Sequence, residues 1–252
     1  MIRLKGEEMG VSSRLRSESG TRVGRSAMVV QGDGLAEQVY RLLRDDIVEG
    51  RLKAGERLSV PEVAAQLGVS RSPVREAITR LAYGGLAVLE PRRGAVVATI
   101  TLEELRDIYE IREVLEGLVC RLAAERITDE AILILDAAMA RHRAAVEAGD
   151  SQAHKDLDQL FHQLLRASAR HARVAESLNV LQDQIRMAMG VTGRGSGAPM
   201  QALADHEAIL LAVRARNRTA AEAAGRAHVA RLLSELEGAE PDRPVGARHL
   251  GG

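Results

Sequence analysis

A chain of 252 residues with 35 basic and 35 acidic side chains, 46% hydrophobic and 28% charged, is long enough for one large domain or two ordinary ones, and two is the expectation. The balanced charge excludes a generally polycationic nucleic-acid binder, so any such affinity has to be local. The single cysteine, Cys120, excludes an intramolecular disulfide and a thiolate zinc cluster and is expected to fill core space. No stretch approaches the roughly 18 apolar residues of a membrane span, so the expected setting is the reducing cytoplasm.

Residues 1–30 are rich in Ser, Gly and Arg without periodicity, and are expected to be a disordered N-terminal extension. From Leu35, "LAEQVYRLLRDDIVEG" places Leu35, Val39, Leu42, Leu43 and Ile47 at helical spacing before a stop at Gly50. Ser59 and Glu62 then form a capping-box pattern that opens a short helix ending at Leu67-Gly68. The turn "LGVS" feeds "SRSPVREAITRL", where Ser70 is an N-cap and Pro73 lies in the first turn, in which a missing N–H removes no intrahelical bond. Val74, Ile78 and Leu81 make one apolar stripe, and Arg71 and Arg75 lie beside it. Between residues 70 and 93 the charge is locally basic, with Arg71, Arg75, Arg80, Arg92 and Arg93 against Glu76 and Glu90. Two short β-branched runs around Pro91-Arg92-Arg93-Gly94 predict a hairpin, and helix-turn-helix plus hairpin is a winged helix.

A second capping box at Thr101 and Glu104 starts a region of long helices, expected over about 102–126, 129–148, 151–168, 172–190, 199–214 and 218–237, with "VTGRGSGAP" as a flexible loop. The fold class expected is mainly α, an N-terminal winged helix-turn-helix over 31–99 followed by an all-α helical bundle over 100–238. The Gly/Pro-rich residues 239–252 are expected to be a disordered tail. Asp158 and His162 share a helix face at i, i+4, and His206 and His228 on two later helices can converge with them inside a bundle. Carboxylate and imidazole donors suit a divalent ion, with zinc, nickel or manganese foremost.

The stretch "GERLSVPEVAAQLGVSRSPVREAITRLAYGGLAVLEPRRGAVV" resembles the GntR family of bacterial transcription regulators, and the helical remainder resembles the FCD effector-binding domain of its FadR-like branch. The resemblance covers about residues 34–237. It implies a homodimer that binds double-stranded operator DNA through paired winged helices and changes affinity when a small molecule occupies the helical domain. On that reading Arg71 and Arg75 are the base-reading candidates, since an arginine pairs bidentately with guanine. Ser70 and Ser72 suit phosphate oxygens, and Arg93 and Gly94 at the wing tip suit the adjacent groove or the backbone. A merely solvated helix face is the alternative. Many FCD domains bind metal through an Asp-x3-His pair and two later histidines, and all four positions are filled here. His171 stands where the family usually has asparagine, and His154 lies one turn along the Asp158 stripe as a competing ligand. Arg112 matches a family arginine near the pocket and would anchor an effector carboxylate; its alternative is a helix-surface salt bridge with Glu116.

An Asp/His metal site could also serve a hydrolase or a sensor in which the ion itself is the signal. "HEAIL" lacks a second histidine four residues on, no P-loop, Gly-x-Ser-x-Gly or dinucleotide fingerprint is present, and residues 100–238 are too few for a fused aminotransferase. The expectation is therefore a regulator, not an enzyme: a repressor released by a small carboxylate bound at a metal site.

Overall fold

The structure is a computed structural model, and it describes residues 34–91, 94–192 and 198–238. The expectations for residues 1–30 and 239–252, for Arg92 and Arg93, and for the middle of the "VTGRGSGAP" loop lie outside the described residues. The N-terminal part is built from α1 (Leu35–Val48), β1 (Arg57–Leu58), α2 (Val60–Leu67), α3 (Arg71–Tyr83), β2 (Ala87–Glu90) and β3 (Gly94–Val97). Val39, Leu43 and Ile47 from α1 meet Val63 from α2 and Val74, Ile78 and Leu81 from α3 in one fully buried cluster. Each such side chain contributes about 1.5–3 kcal/mol by leaving water. The stripe expected on 70–81 is thus the packing face of α3.

Gly68 closes α2 in the left-handed region, at φ 66°, which a side chain would strain, and so makes the sharp turn into α3. Ser59 and Ser70 hold the N-cap positions of α2 and α3, as expected, but neither side chain makes a capping hydrogen bond. The prolines leave each hydroxyl fewer donors to accept from. An N-cap hydroxyl accepts from the second or third helical N–H, and Pro61 and Pro73 each remove one of those donors.

The wing is a three-stranded antiparallel sheet in the order β1-β3-β2, with Val88 opposite Val96 and Arg57 opposite the same Val96 on the other side. The strand β1 was not expected. Two residues carry no readable alternation, and their partner lies some forty positions away.

The remaining helices are α4 (Leu102–Arg126), α5 (Asp129–Glu147), α6 (Ser151–Ala169), α7 (Ala172–Thr192), α8 (Pro199–Arg214) and α9 (Arg218–Gly238). The Thr101 capping box is complete: the Glu104 N–H donates to Thr101 Oγ1 at 3.1 Å and the Thr101 N–H donates to Glu104 Oε2 at 2.7 Å. Asp150 caps α6 by accepting from the Ala153 N–H at 3.0 Å. A second core, centred on Phe161, Leu135, Leu165 and Val213, fills the bundle.

The long helix α4 lies along α9, and Gly225 permits the close approach. A Cβ there would stand 2.6 Å from Cys120 Sγ and 3.1 Å from the Glu116 carbonyl oxygen. Cys120 is fully buried, as expected of a core-filling residue, and burial pushes its thiol far above the ordinary range. Helix α7 belongs to both parts of the molecule. Leu178 packs in the bundle core, whereas Met187 packs with the α1 and α3 side chains of the winged helix.

Candidate functional site

Two places on the molecule gather the expected residues. On the winged helix, Ser70, Arg71, Ser72 and Arg75 are all exposed at the start of α3, and Gly94 is exposed where β3 begins. Arg71 and Arg75 have no ion-pair partner among the described residues, while Ala77 and Ile78 on the opposite face are buried. Arg80 behaves differently. It pairs with Glu37 at 2.7 Å and stacks over the Tyr40 ring at 4.2 Å, so it braces α3 against α1 and does not belong to the free basic face. The open donors are therefore confined to the first turn and a half of α3, where the helix N-terminus adds its own attraction for phosphate.

The second place lies in the bundle. His162 of α6, His206 of α8 and His228 of α9 are buried, and each offers a ring nitrogen within 4.8 Å of the other two. His206 is fully buried with neither nitrogen hydrogen-bonded, and His162 Nδ1 is likewise unpaired among the described residues. A buried polar atom without a partner costs about 1–3 kcal/mol, so three in one cluster mark a place where something else satisfies them. Burial first, and then the neighbouring histidines, hold His162 and His206 well below the ordinary imidazole range. Both rings are neutral and keep the lone pair that a metal ion needs.

His228 is oriented from behind. Its Nδ1 lies 3.0 Å from Asp205 Oδ2, which leaves the Nε2 lone pair free for the cluster. Arg231 Nε donates to the same carboxylate oxygen at 2.6 Å. Burial opposes the ionisation of Asp205, but the hydrogen bonds from His228 and Arg231 outweigh it, and the carboxyl titrates below its ordinary range.

Asp158, the fourth expected donor, stands at the edge. Its Oδ1 is 3.6 Å from His206 Nε2, too far for a hydrogen bond, and its side chain is 31% exposed. The tight mutual approach includes the three histidines and stops short of this carboxylate. His154 does not join the three either. Its Nδ1 lies 2.8 Å from Nε2 of His142 on α5, and the two rings stack. His171 accepts from the Val174 N–H at 3.4 Å at the start of α7, a capping role rather than a ligand role.

Arg112 is buried, and so is Glu116, so their pair is not the helix-surface salt bridge that i, i+4 spacing suggests. Glu116 Oε1 accepts from Arg166 Nη2 at 2.8 Å, while Arg112 Nε lies 3.8 Å away with no hydrogen-bond partner among the described residues. Two guanidinium groups thus share one carboxylate beside His162, whose Nδ1 is 3.9 Å from the same oxygen. Asp205, Arg166 and His142 all escaped the sequence reading, and Glu116 entered it only as a surface partner of Arg112. Arg166 could have been found as the next i+4 position after Asp158 and His162, and His142 as a polar residue that continues the buried stripe of Leu135, Ala138 and Met139.

Comparison with known proteins decides what this pair of sites belongs to. Residues 35–97 match the bacterial regulatory proteins of the gntR family, and residues 107–231 match the FCD domain. The HTH-type transcriptional repressor RspR of Escherichia coli is 32% identical over 200 residues, covering 79% of this chain and 88% of that protein. The chain belongs to the GntR family of transcription regulators. Its FCD part places it in the FadR-like branch, among regulators and not enzymes. The gluconate operon transcriptional repressor of Bacillus licheniformis is 29% identical, covering 70% of this chain and 74% of its own length. Among solved structures, a GntR regulator from Rhodococcus sp. RHA1 superposes with a TM-score of 0.62 at 26% identity, over 81% of this chain and 98% of that one. Escherichia coli McbR/YncC gives 0.61 at 23% identity over 80% and 96%, a likeness of fold. No helix among the described residues is long and apolar enough to cross a membrane.

Proposed function

We propose that this GntR regulator is a cytoplasmic, homodimeric repressor that binds operator DNA through α3 and the wing, and that it is released by a small carboxylate held in the FCD domain beside a divalent metal ion. The observation that carries the reading is the buried trio of His162, His206 and His228, with orphan nitrogen atoms, next to two guanidinium groups that share the single carboxylate of Glu116. The donor set suits zinc, nickel or manganese: three imidazoles, with Asp158 close enough to complete it after a side-chain adjustment. A bound ion would supply a positive, Lewis-acidic centre with coordination positions open to a ligand oxygen.

The chain's own residues supply the rest. Arg112, through its unpaired Nε, is the anchor for the far end of the acid, and Arg166 extends the same cationic wall. A cavity of about 680 Å³ reaches His162, Asp158 and Arg166, and its lining includes Lys155 and Arg186, which have no ion-pair partner among the described residues. That volume suits a small metabolite. In the DNA-binding half, Arg71 and Arg75 read bases, Ser70 and Ser72 hold phosphate, and Arg93 and Gly94 carry the wing contact.

Metal analysis after gel filtration tests the site. About one divalent ion per chain is expected in wild type, and His206→Ala should lose most of it, because neither ring nitrogen of His206 has a hydrogen-bond partner among the described residues. Protein that holds no ion after reloading with zinc, nickel or manganese overturns the metal reading and leaves the DNA-binding reading standing. Release of operator by metal alone would make the ion itself the signal.

A further inference from the structure

The cavity that reaches the histidine cluster is not walled by the FCD helices alone. Arg44 and Val48 of α1 and Glu49 just after it, in the winged helix, form its other side. Arg44 is also the main ionic link between the two parts: its Nε and Nη2 donate to Asp183 Oδ2 and Oδ1 of α7 at 2.5 and 2.6 Å, a forked pair, while Nη1 donates to Asp45 within α1 at 2.8 Å. Asp183 is almost fully buried, and both partners line the cavity. Around that pair α7 makes two more attachments to the winged helix. Gln184 Nε2 donates to the Gly84 carbonyl oxygen at 3.0 Å, and Met187 enters the α1–α3 core.

We propose that the acidic ligand is gripped by both domains at once: one of its anionic groups takes the Arg44 guanidinium from Asp183, and so unlatches the winged helix from α7. The inference rests on the acid-binding reading of the cavity given above. The chemistry favours exchange over simple addition. A guanidinium presents one flat fork to a carboxylate, so a ligand anion facing Arg44 and the buried Asp183 carboxylate compete for the same donors. The loser is costly to leave alone, because Asp183 then stays buried without its partner, and α7 has to shift to hydrate it. Occupancy of the cavity is thereby converted into a change at the face where α1, α3 and the wing are held.

The test needs no knowledge of the natural ligand, because a carboxylate can be built into the cavity wall. Val48 follows Arg44 by one helical turn and lines the same cavity, so Val48→Glu presents an anion to Arg44 at i, i+4 spacing, and Val48→Gln is its neutral counterpart. Full-length, metal-loaded proteins are titrated onto a duplex selected in vitro by wild type, with fluorescence anisotropy as the readout. Val48→Glu is expected to bind at least about fivefold more weakly than Val48→Gln, the lower end of ordinary coupling between sites. Asp183→Asn should weaken operator binding in the same direction, with faster hydrogen exchange in both α1 and α7, and the swap of Arg44→Asp with Asp183→Arg should regain affinity. If Val48→Glu and Val48→Gln bind alike, or if Asp183→Asn lowers thermal stability while operator affinity stays at wild type, the pair is structural cement and the proposal falls. Metal content is measured on the same samples. Loss of the ion would overturn the metal reading without altering the comparison of Val48→Glu with Val48→Gln.

Discussion

Arg71 and Arg75 stand apart from Arg80, although all three lie on one short helix. What separates them is whether a partner within the fold has claimed the guanidinium: Arg80 is held by Glu37 and the Tyr40 ring, and the first two face solvent. Replacing either exposed arginine by alanine should leave the folded state intact, because Val74, Ile78 and Leu81 make the packing contacts of α3. Each substitution is expected to remove about 1–3 kcal/mol of discrimination between operator and scrambled duplex, the worth of one bidentate guanine contact. Gel shifts with the two duplexes, beside a thermal melt, check it. Variants that distinguish the duplexes as wild type does would show that α3 is not the reader. The exposed face was legible in the sequence because it follows from helical periodicity alone. The fate of Arg80 was not, since Glu37 and Tyr40 approach it from some forty residues away.

At the scale of elements, α4 and α9 carry the close packing that frames the histidine cluster. The approach depends on Gly225, and magnitudes decide the sign of a substitution there. Gly225→Ala would gain about 1 kcal/mol in helix propensity. Against that, the new methyl meets Cys120 Sγ at 2.6 Å and a backbone carbonyl at 3.1 Å, and overpacking of this kind costs about 1–3 kcal/mol. Net destabilisation is expected in urea titration. The double variant with Cys120→Ala should be more stable than the sum of the two single effects, since it removes the sulfur but leaves the Glu116 carbonyl in place. Additive behaviour would mean that the helices separate freely and that Gly225 does not set their distance. The same helix pair positions Arg112 and Glu116 on one side and His228 on the other, so this contact should be felt at the site.

For the whole molecule, a single winged helix with one open turn and a half of α3 offers few contacts, and tight specific binding calls for two half-sites. Light scattering of dilute full-length protein is expected to give twice the 27.2 kDa of the chain. A monomer that still binds one half-site tightly would contradict the paired arrangement. Within one chain, α7 packs into the bundle core through Leu178 and into the winged-helix core through Met187, and it also walls the cavity. That arrangement gives ligand binding a direct mechanical neighbour in the DNA-binding half.

The order and type of the elements were determined by the sequence itself, because apolar spacing, cap residues and helix-stopping glycines act within a few positions of one another. The Thr101–Glu104 box, the stripe of α3 and the six long helices are all local in this sense. So was the candidacy of His162, His206 and His228, once three later helices had been placed in one bundle. Only the tertiary structure decided which polar groups lost water together. It left Asp158 at the rim, paired His154 with His142, put Asp205 behind His228, and buried Arg112 and Glu116 that spacing alone would place on the surface. It also joined Arg44 to Asp183 across 139 positions of chain. Desolvation and ion pairing depend on what comes within a few ångströms from every direction, and periodicity along one helix reports a single direction.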